Sequence, residues 1–320
     1  MDINKVYLAP MEGVADPPLR KILTAHGDYD ECFSEFIRVT DVVLPYKTLE
    51  REVPELKENN ARTSSGTLVR VQLLGDNPKA IADTAKRAVK LGAKSIDVNF
   101  GCPSRFVHHG GAMLLKEPDL MHEIVSAVRD ALPPDIFLSV KVRTGFLSKT
   151  EAPEIVSAIA VDGVNEIIMH ARTRKDLYSE SALDWSVIGK VKEFARGIPM
   201  VANGDILSYE DGQECAKAAK TDRLMVGRGA LSIPNAGAVL KEGADPYSTS
   251  YVLKVVDEFI QELIDRNFME KSVLDRAKQF LGFARRTDKN LVEFFKLFCR
   301  ENSIDKARKL IEEHIERNLF

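Results

Sequence analysis

The stretch LVRVQLLGDNPKAIADTAKRAVKLGAKSIDVNFGCPS, residues 68–104, reads as a strand, a helix, a second strand and an abrupt loop. The runs 68–74 and 95–100 are rich in Val, Ile and Leu, the composition of parallel strands covered on both faces. Between them Asn77-Pro78 is a helix cap followed by proline at the first helical position. Ile81, Ala85, Ala88 and Val89 then share one face, and Gly92 ends the segment. Gly101-Cys102-Pro103 puts one of the chain's four cysteines on a turn just past a strand, where a structural thiol has little reason to be.

The same alternation runs outward from this unit. Strand candidates lie at 6–11, 32–36, 68–74, 95–100, 137–143, 166–171, 199–203 and 223–229. Amphipathic segments fall at 78–92, 118–131, 151–162, 184–195 and 208–219. Eight strands with intervening helices over residues 1–240 match the size of a (β/α)8 TIM barrel, an α/β fold. An open doubly wound sheet would want a GxGxxG turn after the first strand, and Pro10-Met11-Glu12-Gly13 is not one. Residues 241–250, KEGADPYSTS, read as a linker. Residues 251–320 carry apolar residues at helical spacing, as in Val252, Val255, Val256, Phe259, Ile260 and Leu263. They are expected to form a small all-α helical-bundle domain of roughly three or four helices.

Of 320 residues, 44% are hydrophobic and 29% charged, which suits a soluble protein with a full core. No apolar run is long enough to span a bilayer, and MDINKVYLAP lacks the regions of a signal peptide, so a cytoplasmic protein is expected. The cysteines show no CxxC or Cys/His spacing, so neither disulfides nor a metal site is implied. A net charge of −3 argues against a surface coated in basic residues but leaves room for a local basic groove.

In a barrel the working residues come from the C-terminal ends of the strands. Read there, the first strand ends in Pro10-Met11-Glu12-Gly13, the second in Glu35-Phe36-Ile37-Arg38, and the third reaches Gln72. The fourth delivers Asn99 and then Cys102, the fifth Lys141 and Arg143, and the sixth His170 and Arg172. The seventh and eighth end in Asn203-Gly204-Asp205 and Gly227-Arg228-Gly229. The last two loops, with a following helix N-terminus, suit a phosphate: glycines let backbone N–H groups approach an anion, and Arg228 adds charge. Plain turn glycines are the alternative. Lys141 and Arg143 share a strand face, and a lysine inside a barrel needs a bound anion, a polar ring or an internal carboxylate. His170 is read as a ligand contact. His26, His122 and His314 are read as hydrogen-bonded core residues, and His108-His109 as exposed. Cys102 at the mouth suits a general acid, which needs only its S–H, better than a nucleophile, which needs a thiolate partner. Cys32, Cys215 and Cys299 are read as buried thiols.

These strand ends resemble the flavin-dependent tRNA-dihydrouridine synthases. APMEGV (9–14), DVNFGCPS (97–104), SVKVRTG (139–145), HARTR (170–174), VANGDI (201–206) and VGRGAL (226–231) follow the order of that family's motifs. RTSSGTLVRVQLLG (62–75) and RAKQFL (276–281) resemble the bacterial branch acting at uridine 16. The resemblance implies FMN across the mouth, with Pro10, Met11 and Glu12 near its ring and Gln72 at its pyrimidine edge. Lys141 would face the ring system, His170 the ribityl-phosphate side, and Asn203, Gly204, Asp205, Gly227 and Arg228 the phosphate. NADPH would reduce the flavin, hydride would pass to C6 of a uracil in the tRNA D-loop, and Cys102 would protonate C5.

A uracil in folded tRNA must leave its stack, which implies an RNA-holding surface. Residues 271–290 carry six Lys or Arg against two acids, which alone would suit a solvated helix face. Under the resemblance Arg276, Lys278 and Arg285 become candidate tRNA contacts, with Arg38, Arg143 and Tyr178 near the mouth and Asn99 against substrate or flavin. A monomer is expected. The segment PSRFVHHG after Cys102 is shorter than the family pattern, which bears on the reach of that loop. Two other readings are an FMN barrel acting on a free pyrimidine and a non-catalytic tRNA-binding protein.

Overall fold

The computed structural model describes residues 2–104, 107 and 110–317. Its strands are β1 (Lys5–Leu8), β2 (Glu31–Phe33), β3 (Ile37–Arg38), β4 (Leu68–Leu74), β5 (Ser95–Asn99), β6 (Phe137–Arg143), β7 (Glu166–His170), β8 (Met200–Asn203) and β9 (Arg223–Val226). Every pairing between them is parallel. β1 lies between β9 and β2, and β2 pairs with β4 from Glu31↔Leu68 to Phe33↔Arg70, which closes the sheet into a barrel of eight strands. The chain is a TIM barrel followed by helices.

The strand expected at 32–36 ends at Phe33, and a ninth strand, β3, follows it at Ile37–Arg38. Ser34 interrupts the expected strand: its Oγ accepts from Gln72 N at 3.0 Å. Glu35 swings away to accept from Val14 N at 3.2 Å. Pairing with β4 then resumes at Ile37↔Leu73. The segment expected at 184–195 is also divided, into the helix Ser186–Lys190 and a 3-10 turn Lys192–Ala195, because Val191 leaves helical geometry.

Alternation along each strand builds two cores. Val69, Val71 and Leu73 of β4, Ile96 and Val98 of β5, and Val140 and Val142 of β6 pack outward against the helices. Tyr7, Ala9, Phe33, Ile168, Val201 and Met225 form a separate cluster that fills the barrel. At the N-terminal end of the barrel Arg70, wholly buried, bonds to Glu31 at 2.6 Å and to Glu166 at 3.0 Å. Tyr7 Oη donates to Glu166 at 2.9 Å. This ion cluster closes the floor, so the polar inward positions near the opposite end are the ones left for a ligand.

Four helices follow: Thr249–Asp265, Glu270–Ala284, Leu291–Phe298 and Ile304–Arg317. The linker expected at 241–250 begins inside the helix Ala236–Glu242. Its extended part is held by Asn235, which donates to Asp245 O and accepts from Tyr247 N. Cys32 and Cys215 are buried, but Cys299, expected to be, is exposed at the end of its helix. His122 is exposed too; its helix turns it outward, where Nδ1 meets Ala158 O. Among the described residues no helix is long and apolar enough to cross a membrane, and no group of three or more His, Cys, Asp or Glu side chains could hold a metal ion.

Candidate active site

Adjacent strands carry polar residues up to the mouth in register: Asn99↔Lys141, Arg143↔His170 and His170↔Asn203. Above them opens a cavity of about 500 Å³. Every residue expected on the cofactor side, from Pro10 to Arg228, lines it, as do Cys102, Asn99, Arg143 and Tyr178. A larger, shallower groove between the helices Pro78–Lys90 and Pro118–Ala131 lies on the outer wall and contains none of these groups.

The cavity floor is polar and largely satisfied. Lys141 Nζ donates to Asn203 Oδ1 at 3.2 Å, and Asn203 Nδ2 to Met225 O at 2.8 Å. Lys141 is 8% exposed, and no carboxylate among the described residues forms an ion pair with it. Burial, reinforced by Arg143, pushes its ammonium down to about 8. Burial and the cations Arg143, Lys141, Arg172 and Arg228 hold the His170 imidazole well below its ordinary range, so it is neutral. Asp205 is occupied by Arg172 at 2.5 Å and by Arg228. The cavity therefore has an excess of positive charge, which favours an anion.

The glycines of the last two loops differ in purpose. Gly204 sits at φ +139°, and a Cβ there would come within 2.8 Å of Leu183 and 3.3 Å of His170. Gly229 allows close packing: a Cβ would lie 2.0 Å from Ile206 O. The helix after β9 is one short turn, Gly229–Ser232, so an anion here relies on loop backbone and Arg228 rather than on a long helix N-terminus.

Cys102 is half-buried at the rim, with Sγ 4.0 Å from Glu12 Oε2. Burial pushes its thiol up, and the Glu12 carboxylate pushes the same way. A thiol so placed keeps its proton at neutral pH, as an acid must and a nucleophile must not.

The sequence profile of the dihydrouridine synthase (Dus) family matches residues 7–317. The chain belongs to the dihydrouridine synthase family. It is 40% identical over 318 residues to the tRNA-dihydrouridine(16) synthase of Haemophilus ducreyi, covering 99% of this chain and 97% of that protein. It is 44% identical over 283 residues to the corresponding synthase of Haemophilus influenzae, covering 87% and 90%. To that of Escherichia coli K12 it is 39% identical over 318 residues, covering 98% and 99%. Among solved structures, the 6-hydroxypseudooxynicotine amine oxidase of Pseudomonas geniculata N1 aligns with a TM-score of 0.57 at 15% identity. That alignment covers 76% of this chain and 47% of that one, a likeness of fold alone.

In this dihydrouridine synthase the residues expected to meet tRNA divide into two groups. Tyr178 is half exposed, with Arg143 and Arg228 over its ring at 5.2 and 4.9 Å. Arg143 itself is buried, and its guanidinium bonds to the carbonyls of Gly101, Thr173 and Leu177, so it shapes the loops around Cys102. Arg38, Arg276, Lys278 and Arg285 lie outside the cavity lining. Arg276 is bound to Asp16 at 2.5 and 2.6 Å, and Lys278 to Glu301 O at 2.8 Å. Arg285 is exposed, its guanidinium 4.4 Å from the Phe295 ring centroid.

Phe36, read only as part of a strand end, also lines the cavity, as do Leu177 and Phe283, which were not singled out. Phe283 arrives from the helix Glu270–Ala284, a helix-to-barrel approach that no local pattern in the sequence announces. Arg105, Phe106, His108 and His109, in the segment after Cys102, lie outside the described residues.

Proposed function

We propose that this flavin-dependent oxidoreductase reduces uridine 16 of the tRNA D-loop to 5,6-dihydrouridine, with FMN held at the barrel mouth and NADPH as the reductant. The observation that carries the reading is the Cys102 thiol at the rim of a cavity with excess positive charge, where burial and the Glu12 carboxylate favour its protonated form. A flavin mononucleotide is an anion, and the residues present fit it. Gly204 and Gly227 leave room for its phosphate beside Arg228, buried Lys141 supplies a cation on the ring side, and Gln72 and Asn99 supply amide groups. When bound, the reduced flavin supplies the hydride that adds to C6 of the uracil.

The chain's own residues do the rest. Tyr178, half exposed beside two guanidinium groups, offers a face on which an unstacked base can lie. Arg143 fastens the Gly101 carbonyl and so the loop that carries Cys102. Cys102 gives its S–H proton to C5 as the C6–H bond forms, and its thiolate regains a proton from water. Neutral His170 and hydrogen-bonded Lys141 hold the floor without competing for that proton.

The test is Cys102→Ala. Flavin reduction by NADPH should proceed at the wild-type rate, while dihydrouridine formation falls about a hundred-fold or more. A variant that modifies tRNA as fast as wild type would remove Cys102 from the reaction.

A further inference from the structure

Three side chains below the mouth are joined head to tail. Asp97 on β5, wholly buried, accepts from Gln72 Nε2 at 2.7 Å and from Ser139 Oγ. Gln72 Oε1 accepts from Asn99 Nδ2 at 2.7 Å. Asn99 Oδ1 accepts from the backbone N–H groups of Gly101 at 2.8 Å and Cys102 at 3.0 Å.

The direction of this chain is dictated from both ends. A carboxylate only accepts and a backbone N–H only donates. Gln72 must therefore aim its nitrogen at Asp97, and Asn99 must aim its oxygen at the cysteine turn. The remaining pair, Oε1 and Nδ2, then matches. Turning either amide over would set like against like and leave buried polar groups unpaired.

We propose that Asp97 is a positioning residue for the proton donor, acting through Gln72 and Asn99 to hold the Gly101-Cys102 turn at the mouth of the cavity. It makes no contact with the reacting atoms; its effect lies in which way two amides point. This rests on Cys102 being the acid, as proposed above. The same constraint decides what Gln72 and Asn99 show to the cavity they line. Each has one N–H engaged in the chain and a second outside it, so what remains on each amide is a donor.

A swap of the two end groups tests the idea. Asn99→Asp alone sets an acceptor against Gln72 Oε1 and breaks the chain. In Asp97→Asn/Asn99→Asp the new carboxylate at position 99 accepts from Gln72 Nε2, and Gln72 Oε1 accepts from the new amide at position 97. Ser139 still donates, so every pair is restored in the reverse direction with the cysteine turn still anchored. Asp97→Ala/Asn99→Asp relieves the same charge crowding without restoring the chain.

Two readouts are taken on the flavin-loaded enzyme in a Cys299→Ser background, which removes the exposed thiol and leaves half-buried Cys102 to react. One is the pH profile of Cys102 alkylation by iodoacetamide. The other is single-turnover transfer to unmodified tRNA at saturation. Asn99→Asp should slow transfer about ten- to a hundred-fold and displace the alkylation profile. The swap should recover most of both, and the alanine combination clearly less. Equal recovery by the two combinations would mean that only charge is at issue and would overturn the proposal. So would Asp97→Ala with wild-type alkylation and transfer. Cys102→Ala, measured alongside for transfer, judges the acid reading separately, since the alkylation profile needs no turnover.

Discussion

Lys141 and Asp97 are buried ionisable groups whose energetics oppose their own charge. The Lys141 ammonium falls from 10.5 to about 8 through burial. Between those values the unfolded chain binds a proton that the folded chain does not, so this group's contribution to stability rises as pH climbs through that window. Below it, the charged lysine is a cost. A bound anion reverses that cost by drawing the proton back. FMN binding near pH 8–9 should therefore take up a proton, measurable by calorimetry in buffers of different ionisation enthalpy. Lys141→Met should melt no lower than wild type when flavin-free at pH 7, yet retain flavin poorly. Proton-neutral binding, or tight flavin in the methionine variant, would contradict this role.

Asp97 gives the mirror case. Burial lifts its carboxyl from 3.8 to about 6, with the hydrogen bonds from Ser139 and Gln72 and then the charges of Arg70 and Lys141 reducing the shift. The folded form holds the extra proton in that window, so stability falls as pH rises from about 4 to 6, and the charge is a cost at neutrality. Asp97→Asn should then melt at or above the wild-type midpoint at pH 7. A drop of several degrees would mean that the carboxylate serves stability first.

At the scale of elements, the inward face of each strand changes character along its length. β4 runs Arg70 at the floor and Gln72 at the mouth, while Val69, Val71 and Leu73 face the helices. β6 repeats this with Ser139, Lys141 and Arg143 between outward valines. The alternation is masked in the sequence because the inward residues are mixed polar and apolar, and the outward ones uniformly apolar. The loops were easier to read, since Gly, Pro and charge at strand ends have few structural uses. Gly204 combines a positive φ with a close neighbour on the wall of the cavity. Gly204→Ala must accept φ +139° and a contact on Leu183, at a cost of about 1–3 kcal/mol. It should lose flavin before it loses fold: weak flavin retention with a native circular dichroism spectrum is expected, and full retention would argue against the phosphate cup.

At the scale of the whole molecule, the C-terminal helices complete the mouth from outside the barrel. Arg276 grips Asp16, which also caps the helix Pro17–His26. Gln279 reaches Gly13 O at 3.4 Å, and Phe283 lines the cavity. The loop carrying Met11 and Glu12 is thus held from both sides. Barrel, helices and the strand-end constellation were legible in the sequence. This junction was not, because an ion pair between residues 16 and 276 leaves no local pattern. Its prediction is a division of labour within the basic run. Arg276→Ala should destabilise the protein by about 1–3 kcal/mol by leaving Asp16 without its partner. Arg285→Ala and Arg286→Ala, at exposed positions, should leave the melting midpoint unchanged. Each should weaken tRNA binding and lower its salt-dependence slope by about one. Melting curves and tRNA titrations at several salt concentrations separate the two.

The most direct test of the central claim is an anaerobic single turnover. The protein, reduced with NADPH, is mixed with tRNA lacking dihydrouridine while the visible spectrum is followed, and the tRNA is then mapped by mass spectrometry. A bleached flavin spectrum that returns on mixing, with dihydrouridine appearing at position 16, is the predicted result. A protein that stays colourless after FMN is supplied, or a reduced flavin that persists over unchanged tRNA, would contradict it.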